Sequence, residues 1–447
     1  MRKTLFDYHS VFHHYRFKFA LQTLDYYYGR NIMNARKITD WVYALHADIT
    51  KAPYFEGFWP IPQGVSLNSY IVRGNKTALI DLYRDWEDAP SQMDSQLKSL
   101  GIKNTDIDYI ILNHLESDHT GFLRDFRKTC PNAQIITTVK GAALVRNFCK
   151  AFPEGEVQDA LRPVKTGDTL DLGDGVILSF TETPNVHWPE TMMTFEQKSG
   201  VLFSCDAFGS YGAVGTDENP GRIFDDECTR EEHEHFEAES LRYYANIVAS
   251  FSPFVKSAVE KFAQIPIKVI APSHGLIWRK NPGEIINRYL KYASYNAGGS
   301  CEKEVCVIWG SMYGNTKIGV DAVVEGIKSQ GLPVKVLEIP STDASVVLAH
   351  AFSAAALVIA MPTYEYKMFP PMAYILNLFN RKHFTGKKAL RIGSWGWVGG
   401  AKKEYDEAVT PLKWDEVESY EWQGLPSDED CKNLRERGIT LAQKVLA

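Results

Sequence analysis

The chain has 447 residues, more than one ordinary domain accommodates, which points to two or three domains. Apolar residues make up 45% and charged residues 23%, a balance that supplies packed cores and excludes a disordered chain. Net charge is −6 with no concentrated Lys/Arg stripe, so the field that draws a phosphate backbone is missing and nucleic acid is excluded as a partner.

In chain order, residues 1–32 come first: rich in Tyr, Phe, His and Arg, with only two acids. They lack the apolar block of a signal peptide, while the low acid content leaves a transit peptide open. The segment reads as an N-terminal extension of unclear role, and a domain opens at Met33. From about 39 to 290 the texture is short β-like runs ("WVYALHA", "SLNSYIV", "TALIDL", "YIILN", "QIITT", "VILSF", "TMMTF", "VLFSC", "KVIAP") separated by turns and polar helical stretches. Their pairing early and late predicts an α+β sandwich over 33–292. Residues 293–303, small, polar and glycine-containing, predict a linker. Over 304–447 five apolar runs ("EVCVIW", "VKVLEI", "AALVIAM", "ALRIGSW", "VESYEW") alternate with helix-length segments and end in a helix near 427–446. That rhythm predicts a doubly wound, five-stranded parallel sheet. No apolar stretch reaches the roughly 20 residues of a membrane-spanning helix. The seven cysteines are scattered with no C-x-x-C pair, which fits neither a disulfide framework nor a rubredoxin-type iron site and suggests the cytoplasm.

Behind the run "YIILN" stands "HLESDH" (114–119), two imidazoles and two carboxylates in six residues at the carboxyl end of a strand. One metal rarely needs four ligands from one loop, whereas two metals sharing a site do; the alternative is a solvated charged turn. "HEHFE" (233–237) differs, because histidines two apart on a helix point away from each other, and it reads as a solvated face.

The loop resembles the H-x-H-x-D-H loop of metallo-β-lactamases, with Glu116 where those hydrolases carry their second histidine. Zinc favours imidazole and thiolate, while a carboxylate-rich set suits harder, redox-active iron. The same substitution is found in the flavodiiron proteins, or A-type flavoproteins, which the chain resembles over 33–447. In that family the segments matching "NVHWPE" (185–190), "LFSCDAFG" (202–209) and "APSHGLIWR" (271–279) supply the remaining ligands. The resemblance implies one iron held by His114, Glu116 and His187, a second by Asp118, His119 and His274, and Asp206 as the bridge.

The second half carries its own signal, "VIWGSMYGNTK" (307–317), where a strand ends in a loop of Ser, Gly, Asn and Thr that opens a helix. Hydroxyls and backbone N–H groups converge there on the helix's positive end. Neither the dinucleotide nor the P-loop fingerprint is present. The loop resembles the flavodoxin phosphate loop, which implies that Ser311, Met312, Tyr313, Gly314, Asn315 and Thr316 hold the phosphate of FMN. Two later loops match those flanking the isoalloxazine ring: Pro362, Thr363, Tyr364, Glu365 and Tyr366, and then Ser394, Trp395, Gly396, Trp397, Val398, Gly399 and Gly400. Aromatic faces there can stack on flavin. The sequence "YEY" departs from the more usual Asn-containing form of the first of these loops.

The resemblance implies an oxidoreductase in which FMN takes electrons from a rubredoxin-like or other small donor and passes them to two irons that reduce O2 to water or NO to N2O. It also implies a head-to-tail homodimer, or a tetramer built from it, that brings the flavin of one subunit against the irons of the other. O2 reduction for detoxification is the expected activity, with NO reduction as the alternative; a dizinc hydrolase is the more distant one. The preference rests on "YFEGFWP" (54–60), whose Tyr54, Phe55, Glu56 and Trp59 resemble the family segment lining the gas pocket and could deliver protons.

Overall fold

The computed structural model describes residues 34–148, 160–215 and 221–447; the extension predicted at 1–32 lies outside the described residues. The first half holds two sheets. One has seven strands in the order Arg36–Lys37, Val42–Ile49, Val65–Arg73, Thr77–Ile80, Tyr109–Ile111, Gln134–Thr138 and Leu161–Val164. The other has five, Thr169–Asp171, Ile177–Glu182, Met192–Glu196, Val201–Cys205 and Val269–Pro272. Pairing in the larger sheet is antiparallel up to Thr77–Ile80 and parallel beyond it.

Strand Val65–Arg73 is buried along all but its last residue although it carries Ser66, Asn68 and Ser69. Such burial requires internal partners. The Ser69 hydroxyl donates to the Asp81 carbonyl at 2.8 Å, and the Asn68 N–H donates to the Ser273 carbonyl at 2.8 Å. Asn68 Nδ2 donates further to the carbonyls of Pro272 and Gly275, both at 3.0 Å. Polar residues inside one sheet thus fix the loop that leaves the other.

The second half is a doubly wound sheet of parallel strands in the order Val334–Glu338, Glu302–Trp309, Ala354–Tyr364, Lys388–Trp395 and Asp415–Gln423. A sixth, two-residue strand, Lys367–Met368, folds back antiparallel on the end of Ala354–Tyr364. It exceeds the predicted five because two residues carry no readable period; the turn before it uses Glu365 and Tyr366 at positive φ. The order 2-1-3-4-5 is that of flavodoxin-like folds, whose ligands lie at the carboxyl ends of the strands. The fold is a metallo-β-lactamase-like sandwich followed by a flavodoxin-like sheet.

Helices Asn315–Lys328 and Asp428–Leu446 cover one face of this sheet over a separate core that includes Val305, Val307, Val320, Val358 and Leu441. The other face, under Ala344–Ser353 and Pro370–Arg381, continues into the core of the first half. There Phe352 stacks on Tyr244 with ring centroids 5.8 Å apart, and Arg242 Nη1 donates to Ser345 Oγ at 3.1 Å.

Candidate metal centre and flavin cradle

Strand Tyr109–Ile111 delivers the chain to Asn113, which is clamped on both sides. Its N–H and Nδ2 donate to Asp81 at 2.8 and 3.2 Å, and its Oδ1 accepts from Thr194 Oγ1 at 2.7 Å. A short helix, Ser117–Thr120, follows, with the Thr120 hydroxyl donating to the Glu116 carbonyl at 2.9 Å. This turn swings His114 and Glu116 to one side and Asp118 and His119 to the other. His274 ends the loop after Val269–Pro272, and Gly275 beside it must be glycine: its φ is +79° and a Cβ would meet Ser210 Oγ at 2.2 Å. Asp81, Asn185, Cys205 and Phe208, all non-glycine residues near the site, also have positive φ, so the loops that aim these side chains hold bent backbone.

The seven side chains implied by the sequence converge. His187 Nε2 lies 3.2 Å from both Glu116 Oε2 and Asp206 Oδ2, and His114 Nε2 lies 3.3 Å from Glu116 Oε2 and 3.4 Å from Asp206 Oδ2. On the other side His119 Nε2 lies 2.9 Å and His274 Nε2 3.4 Å from Asp206 Oδ1, while His274 Nε2 is 3.2 Å from Asp118 Oδ2. Asp206 therefore turns one oxygen to each histidine pair. All seven are buried except Glu116, which is intermediate.

Two histidines are fixed from behind. His114 Nδ1 shares a hydrogen with Glu190 Oε1 at 2.8 Å, and His274 Nδ1 donates to the Ser66 carbonyl at 2.9 Å. Those bonds leave each Nε2 facing the centre, the usual outer support of a metal-ligating imidazole. Asp81 stands behind His119: atoms of Asp81, His119 and Cys205 lie within 4.8 Å of one another. Burial pushes the Asp81 carboxyl up to about 6.

A pair of cations fits these residues. Asp118 Oδ1, His119 Nε2, Asp206 Oδ1 and His274 Nε2 are buried polar atoms without a hydrogen-bond partner among the described residues, and all four point into the shared space. Burial alone would press the imidazoles toward neutrality, but Asp206 and Glu116 raise His187 to about 10, and Asp118 and Asp206 raise His274 to about 9. Against the cost of its own burial, Glu116 is held down to about 2 by His114 and His187. A metal replaces such imidazolium protons.

Above the centre lies the loop of Tyr54–Phe55 and Trp59–Pro60. Phe55 packs edge-on against His274 with centroids 5.4 Å apart, and Trp59 Nε1 donates to Glu56 Oε2 at 3.0 Å. Desolvation and the nearby Glu116 charge raise the Glu56 carboxyl. Tyr54 faces outward, about half-exposed; the buried phenols are instead Tyr243, beside His274, and Tyr211, beside Phe55, whose hydroxyls have no hydrogen-bond partner among the described residues. Sequence reasoning missed Glu190, Asp81, Tyr211 and Tyr243. Glu190 closes the very segment that supplies His187, so position three after that histidine was the available signal. His233 and His235 stay away from the centre; His233 Nε2 bonds the Asp225 carbonyl at 2.7 Å.

In the second half Ser311–Gly314 lie in the loop between Glu302–Trp309 and Asn315–Lys328, and Asn315 and Thr316 open that helix. Gly314 caps that helix at φ +93° with no side chain bonding the first turn, so its N–H groups remain for an anion. Ser311 Oγ accepts the Gly314 N–H at 2.9 Å, and the buried Thr316 hydroxyl lies 3.1 Å from that of Ser394. Pro362, Thr363 and Tyr364 end their strand and Glu365 and Tyr366 make the hairpin beside it; Ser394 and Trp395 end the next strand, and 396–400 loop away. Tyr366 and Trp397 meet edge to face at 6.3 Å, and Tyr313 and Trp397 are exposed at the ends of these strands. These residues fit FMN: an anion cradle for one phosphate, with aromatic faces beside it.

Residues 65–275 match the family described as "ODP family beta lactamase". The anaerobic nitric oxide reductase flavorubredoxin of Vibrio vulnificus is 33% identical over 389 residues, covering 86% of this chain and 74% of that protein. The protein of the same name from Salmonella arizonae is 36% identical over 386 residues, 86% of this chain and 76% of its own. Among solved structures, rubredoxin oxygen:oxidoreductase from Desulfovibrio gigas superposes with a TM-score of 0.84 at 25% identity, covering 92% of this chain and 99% of that one. The flavodiiron protein from Giardia intestinalis gives 0.84 and 25%, covering 93% and 97%. Likeness of this extent, over both halves of the chain and its metal centre, has one conclusion: the chain belongs to the flavodiiron proteins, oxidoreductases that carry FMN and a di-iron centre and act on O2 or NO.

Proposed function

We propose that this chain reduces O2 to water as a detoxifying reductase, with His114, Glu116 and His187 holding one iron, Asp118, His119 and His274 the other, and Asp206 bridging them. The observation that carries the reading is the division of Asp206, Oδ2 toward His114 and His187 and Oδ1 toward His119 and His274. Residues 33–292 form the metal-binding domain, 293–303 the linker and 304–447 the FMN-binding domain, with the phosphate on Ser311–Thr316 and the ring between 362–366 and 394–400. When bound, FMN and the iron pair supply the electron transfer and gas reduction.

The chain's own residues orient and protonate. Glu190 and the Ser66 carbonyl keep His114 and His274 aimed inward. Phe55, Tyr211 and Tyr243 wall off water beside His274. Glu56, whose carboxyl is raised by burial and by the Glu116 charge, is the proton donor of this reading. O2 is favoured because its reduction to water demands prompt protons and a site that retains partly reduced oxygen. NO reduction is the second reading, supported by the names of the flavorubredoxins. Steady-state rates with each gas and one reduced donor test the choice: O2 turnover well above NO turnover is expected, and NO turnover well above O2 turnover, or hydrogen peroxide as the main product, contradicts it.

Electrons come from a separate rubredoxin-like donor, since these 447 residues contain no C-x-x-C pair. The exposed aromatics around the flavin cradle support a head-to-tail homodimer that covers them. A cytoplasmic location agrees with the absence, among the described residues, of any helix long and apolar enough to cross a membrane.

A further inference from the structure

Lys387, just before strand Lys388–Trp395, is 1% exposed. Its Nζ donates to the Phe352 carbonyl at 2.6 Å, the Ala354 carbonyl at 2.9 Å and Cys301 Sγ at 3.1 Å. These three acceptors match its three hydrogens, and the only ionisable one is sulfur. Burial lowers the Lys387 ammonium, which therefore gives up a proton readily beside the sulfur. Among the described residues Cys301 is the cysteine with a hydrogen bond from a cation. Burial pushes the Cys130 and Cys228 thiols up, to about 11 and about 12, and their Sγ atoms bond main-chain carbonyls, as Cys301 Sγ does with that of Tyr295 at 3.6 Å. Cys301 is half-buried, so a small oxidant can reach it. It lies between helix Pro282–Ser294 and strand Glu302–Trp309, where the Gly298 backbone abuts Gly386 so closely that no side chain would fit. Sulfur and nitrogen are thus held together by backbone on both sides.

We propose that Cys301 and Lys387 form a peroxide-driven, thiol-reversible sulfur–nitrogen cross-link that fastens the junction between the two halves of the chain. The Cys301 thiolate attacks one oxygen of hydrogen peroxide; the O–O bond breaks, sulfur is oxidised by two electrons to the sulfenic acid and the peroxide is reduced. The departing hydroxide takes a proton from the Lys387 ammonium, giving water and a neutral amine. That amine attacks sulfur, the S–OH bond breaks and a second water leaves. An external thiol reverses the link by attacking sulfur and releasing the amine, with a second thiol completing the reduction.

The full-length holoprotein, treated with hydrogen peroxide and mapped by mass spectrometry without reductant, tests this. The expected product joins the Cys301 and Lys387 peptides with the loss of two hydrogens from their summed mass, and dithiothreitol separates them. Cys301→Ser, which keeps an acceptor beside Lys387, and Lys387→Arg, which keeps the charge, both abolish it. Should the arginine variant fail to fold, the serine variant still supplies the control. A native chain that accumulates sulfenic or sulfinic acid at Cys301 with no joined peptide, or that leaves Cys301 unmodified while Cys228 reacts, overturns the proposal.

Discussion

Glu116 stands where an imidazole would give a softer site, 3.3 Å from His114 and 3.2 Å from His187. Its carboxylate biases the centre toward iron. Glu116→His is therefore expected to shift the as-purified metal toward zinc and to remove reductase activity while flavin stays bound; unchanged iron content and turnover would contradict this. Glu190 acts one bond further out. Glu190→Ala frees His114 to rotate, and metal affinity or turnover is expected to fall about 10- to 100-fold, read by chelator competition. The four ligands of "HLESDH" were legible because they are neighbours in the chain. Glu190 and Asp81 were not, because their contacts with His114 and Asn113 join residues 76 and 32 positions apart, the first across two sheets and the second between neighbouring strands of one sheet. Tyr54 shows the limit of reading a loop by composition: of two adjacent aromatics Phe55 turns in against His274 while Tyr54 turns out, and strand alternation in a two-residue element decides which.

At the scale of elements, the helix that starts at Asn315 has no capping side chain on its first turn, the feature on which the proposed phosphate site rests. Asn315→Ala with Thr316→Ala removes the flanking donors and is expected to release flavin while leaving iron in place; denatured supernatant containing FAD instead of FMN would refute the cradle as read. Thr316 also bonds Ser394, so the phosphate loop and the third flavin loop loosen together. Phe352 is the hinge pin between the halves, buried against Tyr244, Tyr295 and Phe384. Phe352→Ala is expected to cost about 3–5 kcal/mol, seen as a lower midpoint in denaturant unfolding. Glu302–Trp309, Ala354–Tyr364 and Lys388–Trp395 were legible because centrally placed, mostly buried strands read as continuous apolar runs. Short edge pieces such as Arg36–Lys37, Thr169–Asp171 and Lys367–Met368 were not, because their pairing comes from neighbours and not from their own pattern.

For the whole molecule, the sequence carries no nicotinamide fingerprint and no rubredoxin-type cysteine pair, and the proposed reading takes electrons from a separate donor. NADH alone is expected to be oxidised slowly, and addition of a rubredoxin with its reductase to accelerate turnover; rapid oxidation of NADH by the isolated chain would contradict it. The two cofactor sites sit on separate sheets of one chain, the metal centre between two sheets of the first half and the flavin cradle at the strand ends of the third. On this reading the first site holds iron and the second FMN. Metal and flavin content of protein purified without added metal tests it most directly: an iron pair together with one FMN per chain is the predicted result, and a zinc pair with no iron would contradict the account.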